Sequence, residues 1–180
     1  PFIAFHVSGG TTEAVLVKPD NEHIINAEIV ASSSDLKAGQ AIDRVGVMLS
    51  LGFPAGPELE KLSEKSNAVF KIKPSMKNTD CSLSGVENKC KKMLTENYEK
   101  SDIALFCIDS VIAALDGMYK ALMPKYGALP VVFSGGVTSN KRIKNYFHDK
   151  YNAIFAEPAF SADNAAGTAV LSSIMYDRRK

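Results

Sequence analysis

Residues 129–142 read LPVVFSGGVTSNKR: an apolar strand, a Gly-Gly turn and, directly after it, a polar helix start. This order places backbone N–H groups and a helix N-terminus at the carboxyl end of a strand, where a phosphate group can bind. Glycine lets the backbone approach a ligand closely and allows positive φ. The pattern makes Ser134, Gly135 and Gly136 candidate phosphate-binding residues, with Asn140 within reach on the first turn of the helix.

A second Ser-Gly-Gly turn, formed by Ser8, Gly9 and Gly10, lies between the apolar runs 2–7 and 14–17. Two such turns, far apart in sequence, predict two sides of one nucleotide pocket. A Gly-Gly between strands is more often only a hairpin turn, and this alternative stays open here. The chain contains neither the GxxxxGK[ST] pattern of a P-loop nor the GxGxxG pattern of a dinucleotide fold.

The order of predicted elements indicates the fold class. Period-2 and apolar patterns predict strands over 2–7, 13–17, 23–31, 131–133 and 153–156. Helical periods predict helices over 38–51, 57–66, 85–97, 102–125, 139–150 and 161–176, with an extended segment at 69–76 and a polar loop at 77–82. A three-strand meander followed by alternating helices and strands is the order of an RNase H-like unit. We therefore predict an α/β fold: one actin-like ATPase subdomain over 1–180, with a helical insertion at about 38–125.

The composition excludes several classes of protein. Apolar residues make up 46% of the chain and the net charge is +1, so no overall field selects nucleic acid or an anionic membrane. Basic runs at 89–92 and 141–144 could still contact a polyanion locally. Three cysteines without CxxC spacing argue against a disulfide scaffold and favour a reducing cytoplasm, and no apolar run is long enough to predict a membrane span. Because the chain opens at Pro1 directly into a strand, we expect a fragment of a longer protein.

Six sequence blocks occur in a fixed order. They are SGG at 8–10, GQAIDRV at 39–45, GFPAGPELEKL at 52–62, SLSGV at 82–86, SGGVTSNKR at 134–142 and DNAA at 163–166. In this order the chain resembles the TsaD family, long called Gcp or O-sialoglycoprotein endopeptidase (peptidase family M22). The resemblance covers essentially the whole chain. It implies transfer of a threonylcarbamoyl group from threonylcarbamoyl-AMP to N6 of the adenosine next to the anticodon of tRNA. It also implies ATP or threonylcarbamoyl-AMP as the bound nucleotide, a cytoplasmic location and a TsaB-like partner protein.

The resemblance also implies roles for single residues. Residues 8–10 match the first substrate-binding loop, and Asp43 matches an aspartate that hydrogen-bonds the ribose of the adenylate. Gly56 matches the glycine of the adenine-side loop, and Asn140 matches the substrate-binding asparagine. For Asp43 a plain surface position on a helix is the alternative. The resemblance assigns no catalytic residue.

Asp163 matches a metal-ligating aspartate of the family, and a helix N-cap is its alternative role. The family's other ligands are a histidine pair in an HxxxH helix that precedes the Ser-Gly-Gly block. The three histidines of this chain lack that spacing, and we interpret His6, in a predicted strand, as structural. One ligand cannot hold a metal ion, so the remaining ligands of an iron or zinc site would lie outside this chain.

Two other functions stay open. One is a non-catalytic nucleotide-binding or dimerisation paralogue similar to TsaB, and the other is a relative of sugar or acetate kinases. TsaB lacks the Ser-Gly-Gly-Val-x-x-Asn and Asp-Asn-Ala blocks that this chain contains, which favours the transferase. No HExxH motif or supported Ser/His/Asp order indicates proteolysis. We expect the chain alone to be inactive and its cleft face to favour self-association.

Overall fold

The computed structural model describes residues 1–161 and 165–178. Its centre is a five-stranded mixed sheet, and a two-stranded hairpin lies apart from it. The strands are β1 (Phe2–Val7), β2 (Thr12–Asp20), β3 (Ile24–Ser32), β4 (Ser75–Lys77), β5 (Asp80–Ser82), β6 (Val131–Ser134) and β7 (Ile154–Phe155). The sheet order is β3-β2-β1-β6-β7. The first three strands form an antiparallel meander, and β6 and β7 join it in parallel.

Seven helices and one 3₁₀ turn appear in the part of the chain that the structure describes. They are α1 (Ala38–Met48), α2 (Gly56–Ser63), α3 (Ser84–Thr95), α4 (Lys100–Tyr126), the 3₁₀ turn Gly136–Ser139, α5 (Lys141–Tyr151), α6 (Pro158–Ser161) and α7 (Ala165–Arg178). Four of the helices and the small hairpin lie between β3 and β6, where the sequence predicts a helical insertion. None of the described helices is both long enough and apolar enough to cross a membrane.

The core forms where the central strands meet the helices. On β1 the alternating side chains Ile3, Phe5 and Val7 are fully buried, as a period-2 pattern demands of a strand with one face in the core. Phe5 stacks on Phe133 of β6 with ring centroids 4.9 Å apart, and Phe147 of α5 packs against Phe133 at 4.6 Å. This aromatic cluster fixes α5 against the parallel strand pair.

Two sequence predictions need correction. Residues 77–82 are not a polar loop but part of the β4–β5 hairpin, which turns at Asn78 with φ of 56°. The helix predicted from residue 139 begins two residues later, because the 3₁₀ turn Gly136–Ser139 comes first. Of the helix predicted over 161–176, the described residue 161 ends α6 and the described residues 165–176 are helical in α7.

The pairing of β1 with β6 positions the two Gly-Gly turns. The strands are parallel and in register, with His6 opposite Ser134. Both turns therefore leave the sheet at the same edge and at the same level. Carboxyl ends of parallel strands are the usual place for a ligand in an α/β sheet.

Candidate nucleotide-binding site

The first Gly-Gly turn follows β1 and is held by the side chain of Ser8. The Ser8 hydroxyl oxygen accepts hydrogen bonds from the backbone N–H groups of Gly10 at 3.3 Å and Thr11 at 3.0 Å. The Ser8 N–H donates to the Thr11 carbonyl at 2.7 Å, which closes the turn. Among the described residues the Gly9 N–H has no acceptor, and Gly9 lines the cavity described below.

Helix α1 begins against this turn. The buried Thr12 hydroxyl accepts from the Ala38 N–H at 2.9 Å, and the Ser8 carbonyl accepts from the Gly39 N–H at 3.1 Å. A Cβ added at Gly39 would lie 2.7 Å from the Gly9 Cα, so any side chain there would displace the turn. Sequence reasoning assigned no role to Thr12 or Gly39. A glycine in the first turn of a predicted helix was the available signal for Gly39.

The second Gly-Gly turn is held by contacts with other parts of the chain. Ser134 Oγ lies 3.0 Å from His6 Nδ1, and the Gly135 N–H donates to Ser161 Oγ at 2.7 Å. Gly135 has φ of 98°, and a Cβ added to it would collide with the carbonyl of Val7. Ser134 and Gly135 therefore shape the turn, and Gly136 is the residue that faces open space.

Asn140 is the N-cap of α5 and is 9% exposed. Its side-chain oxygen accepts from the Ile143 N–H at 3.1 Å, which satisfies one of the free donors at the helix start. The Thr138 hydroxyl donates to the Gly135 carbonyl at 2.8 Å and stabilises the 3₁₀ turn that precedes the cap. Asn140 thus has a structural role, and the residue also lines the cavity described below.

Asp43 connects α1 to the loop before α2. Its Oδ1 atom accepts from the Ala55 N–H at 2.8 Å, which leaves the second carboxylate oxygen without a described protein donor. Gly46, one turn further along α1, packs directly on the Ala55 side chain. The loop is therefore held against α1 at two points, and Gly56 follows at the start of α2.

These elements enclose a cavity of about 360 Å³. Six of the residues proposed from sequence line it: Ser8, Gly9, Asp43, Gly56, Gly136 and Asn140. Three others do not line it, namely Gly10, Ser134 and Gly135, which form the turns behind the lining. Apolar surface comes from Ile42, Pro54 and Ile108, none of which the sequence singled out. The cavity combines a mostly apolar wall with a few polar groups, as small-molecule sites do.

The glycines in the lining leave room for a ligand. A Cβ added at Gly9, Gly56 or Gly136 would meet no protein atom within 4 Å. Packing of the described residues therefore does not explain the lack of a side chain at these positions. All three glycines line the cavity, where a flat base or a phosphate group could approach the backbone.

The charged groups at the cavity are acidic. Among the described lining residues the ionisable side chains are Asp43 and Glu60, and a Glu60 carboxylate oxygen accepts from the Lys141 N–H at 2.7 Å. No described lysine or arginine lines the cavity. A phosphate group here would depend on backbone N–H donors, whereas a carboxylate such as Asp43 suits hydroxyl donors.

The described residues contain no group of three or more His, Cys, Asp or Glu side chains that could hold a metal ion. Asp163, the metal ligand that the resemblance implies, lies outside the described residues. A larger groove of about 920 Å³ lies beside the cavity, between α2, α4 and α5, and shares Glu60 with it. Its Asp109 and Arg142 side chains pair with each other at 3.0 Å.

Sequence comparison places the chain among known proteins. The family model TsaD, described as tRNA N6-adenosine threonylcarbamoyltransferase, matches residues 1–170. Curated proteins of that name from Kosmotoga olearia and Thermosipho africanus are 30% and 31% identical over 100% and 99% of the chain. A third, from Riemerella anatipestifer, is 26% identical over 99% of it. The chain spans only 56–57% of the length of these relatives.

Solved structures show the fold independently. HypF of T. kodakarensis superposes with a TM-score of 0.61 at 17% identity, over 85% of the chain and 21% of HypF. Component A of (R)-2-hydroxyglutaryl-CoA dehydratase from Acidaminococcus fermentans superposes with a TM-score of 0.59 at 16% identity, over 97% and 60% of the two chains. The activator of 2-hydroxyisocaproyl-CoA dehydratase from Clostridium difficile, solved with bound ADPNP, gives 0.54 at 20% identity, over 97% and 59%. The predicted actin-like ATPase fold is confirmed.

Proposed function

The chain belongs to the TsaD family, and from this premise we propose that its full-length protein is a tRNA N6-adenosine threonylcarbamoyltransferase. In this proposal threonylcarbamoyl-AMP is the donor and an adenosine N6 of tRNA is the acceptor. The chain acts as one actin-like subdomain and supplies one wall of the donor site. The family match supports the reaction, and the cavity supports the place of the donor.

The observation that carries the proposal is the convergence at the cavity. Two Gly-Gly turns more than 120 residues apart, the first half of α1, the loop before α2 and the cap of α5 all reach one space of about 360 Å³. Six of its lining residues are ones to which the sequence motifs or the family resemblance point. A set of unrelated surface loops would not be expected to meet in this way.

We assign the parts of the adenylate by chemistry. The Ala55 N–H holds one carboxylate oxygen of Asp43, and the other oxygen can accept a hydrogen bond from a ribose hydroxyl. The N–H groups of Gly9 and Gly136 can donate to phosphate oxygens and so stabilise the charge that develops on the leaving AMP. The base would lie against Pro54 and Gly56, where no Cβ blocks its approach.

The family's metal, iron or zinc, enters the proposal only through Asp163. No described cluster supports a metal site, so we derive no step through it. A TsaB-like partner protein, a cytoplasmic location and self-association of the chain are likewise part of the proposal. No residue is assigned to catalysis.

Two glycines near the start of α2 offer a matched test. Gly56 and Gly52 both have free space for a side chain, but only Gly56 lines the cavity. In the full-length protein, Gly56→Val should weaken AMP binding by about tenfold or more, since the new side chain occupies ligand space. Gly52→Val is the control and should bind like the wild type. Titration calorimetry measures both, and equal affinities in the two variants would remove the cavity from the proposal.

The reaction needs a separate readout. Wild-type protein, given threonylcarbamoyl-AMP and tRNA, should form threonylcarbamoyladenosine detectable by mass spectrometry of digested tRNA. Gly56→Val should reduce its yield and Gly52→Val should not. Nucleotide binding by wild-type protein without any modified adenosine would instead favour the non-catalytic, TsaB-like alternative.

A further inference from the structure

Two segments of the chain carry lysines without intervening acidic residues. Between Glu64 and Asp80 the sequence contains four lysines and no aspartate or glutamate. Between Glu87 and Glu96 it contains three more, within the basic run at 89–92. The net charge of the whole chain is only +1, so these segments concentrate positive charge locally.

The first segment presents its lysines to solvent. From residue 70 to 77 half-buried and exposed positions alternate, and Lys71 and Lys73 are exposed. The alternate side chains face α4: the Phe70 ring meets the Phe106 ring edge-on at 5.3 Å, and Pro74 and Met76 lie at Gly117. Packing on α4 therefore fixes which side of the segment faces outward. On such an extended chain, lysines two residues apart lie about 6.6 Å apart along the backbone.

The second segment meets the first. Lys89 of α3 and Lys73 line the same small cavity of about 140 Å³, together with Ser75 and Ser82. We name the exposed set Lys71, Lys73 and Lys89 the lysine strip. It crosses from the extended segment to α3, two elements that the chain separates by a hairpin.

Neighbouring acids do not neutralise the strip. No described carboxylate forms an ion pair with any of its three lysines. Two acids lie at the start of α3. Asp35 accepts from the Ser82 hydroxyl at 2.6 Å and the Leu83 N–H at 2.8 Å, and Glu87 pairs with Arg44 at 3.0 Å. Lys92 and Lys77 are left out of the strip, because Lys92 pairs with Glu96 and Lys77 is opposite Asp80 in the hairpin.

We infer that the lysine strip is a contact surface for the phosphate backbone of RNA. The inference rests on the proposed function, which supplies an RNA substrate. The strip is elongated, exposed and spread over two elements, which suits a chain of phosphates more than one small anion. It contains no aromatic side chain for base stacking, so it would position RNA without reading its sequence.

The test measures binding of unmodified tRNA to the chain by fluorescence anisotropy between 50 and 200 mM salt. Over this range a protein that makes six to ten phosphate contacts loses about 10³–10⁵-fold in affinity. The variant K71Q/K73Q/K89Q removes three contacts. Each contact contributes about fivefold at 0.1 M salt, so affinity should fall about 100-fold and the salt slope by about 2. The control K18Q/K61Q/K125Q removes the same charge from other exposed lysines and should change affinity less than threefold, a bound of about 0.7 kcal/mol.

Circular dichroism confirms that both variants fold. Equal losses in the two triple variants, or no tRNA binding by the wild type at 50 mM salt, would overturn the inference. Tighter binding of polyglutamate than of tRNA through the strip would also overturn it, since an acidic protein would then be the partner. None of these outcomes touches the AMP titration of Gly56→Val, so the two proposals fail separately.

Discussion

Two substitutions at Asp43 can separate its hydrogen bond to the loop before α2 from its proposed hydrogen bond to a ligand. Its carboxylate accepts from the Ala55 N–H at 2.8 Å and also lines the cavity. Asp43→Ala removes both functions. Asp43→Asn keeps an oxygen for the Ala55 N–H and removes only the charge, so the two variants should behave differently.

The expected magnitudes follow from these contacts. Asp43→Ala leaves the Ala55 N–H without its acceptor, which should lower the free energy of unfolding by about 1.5 kcal/mol. For a chain of this length that corresponds to a fall in Tm of about 3–6 °C. Asp43→Asn should keep the wild-type Tm to within about 1 °C, since the neutral hydrogen bond remains. Differential scanning calorimetry of the chain measures both.

Ligand affinity, unlike stability, should be sensitive to the loss of charge in Asp43→Asn. A hydrogen bond to a charged acceptor contributes about 1.5–3 kcal/mol and a neutral one about 0.5–1.5 kcal/mol. Asp43→Asn should therefore weaken AMP binding by the full-length protein about tenfold while leaving its stability intact. Asp149→Asn, at a position on α5 whose side chain is 79% exposed, is the control for lost charge. Wild-type affinity in Asp43→Asn would refute the ribose contact and leave Asp43 as a loop anchor.

Gly136→Ala should leave the Tm unchanged, because no protein atom lies within 4 Å of the new Cβ. Gly135→Ala should lower the free energy of unfolding by about 3 kcal/mol or more, because Gly135 has a positive φ and the new Cβ would collide with Val7. Thermal unfolding compares the pair, and equal Tm values would contradict the geometry of the turn. Burial alone would raise the pKa of the Asp116 carboxyl, but hydrogen bonds from Lys120, Lys150 and Tyr151 lower it below its ordinary value of 3.8. Folding thus favours the charged carboxylate of Asp116. Its contribution to the free energy of unfolding is complete above about pH 4 and is lost as the pH falls further. Asp116→Asn should flatten the dependence of stability on pH below 4 in acid titrations, and an unchanged slope would show that the cluster contributes nothing. Asp163→Ala in the full-length protein should lower the bound metal measured by elemental analysis, whereas full occupancy would leave Asp163 as a helix cap.

The sheet could be predicted because its strands carry the signal in local sequence. The alternation in β1 and the apolar run of β6 each indicate a strand, and short turns indicate a meander. The β4–β5 hairpin was missed because its strands have three residues each and little apolar alternation. Its position depends on Met76 packing at α4, which no local pattern contains. Asn78 at the turn was the one usable signal, since asparagine tolerates positive φ.

The candidate site shows the same division between local and distant information. Glycine-rich turns are visible in sequence, which is why Gly9 and Gly136 could be proposed. Which members of each turn line the cavity depends on contacts across the fold. Ser134 faces His6, 128 positions away in the chain, and Gly135 faces Ser161. Spacing alone could not distinguish these supporting residues from Gly136.

The register of β1 with β6 has a consequence for inserting residues into this chain. Each Gly-Gly turn starts at the same level of the sheet, so one extra residue in either turn would shift its donors by about 3.3 Å relative to the other. The β2–β3 turn at residues 21–23 is at the opposite end of the sheet, and its three residues are exposed. A loop that carries a fluorophore or an epitope could be inserted there to detect the protein in cells. The insertion would not alter the distance between the two Gly-Gly turns.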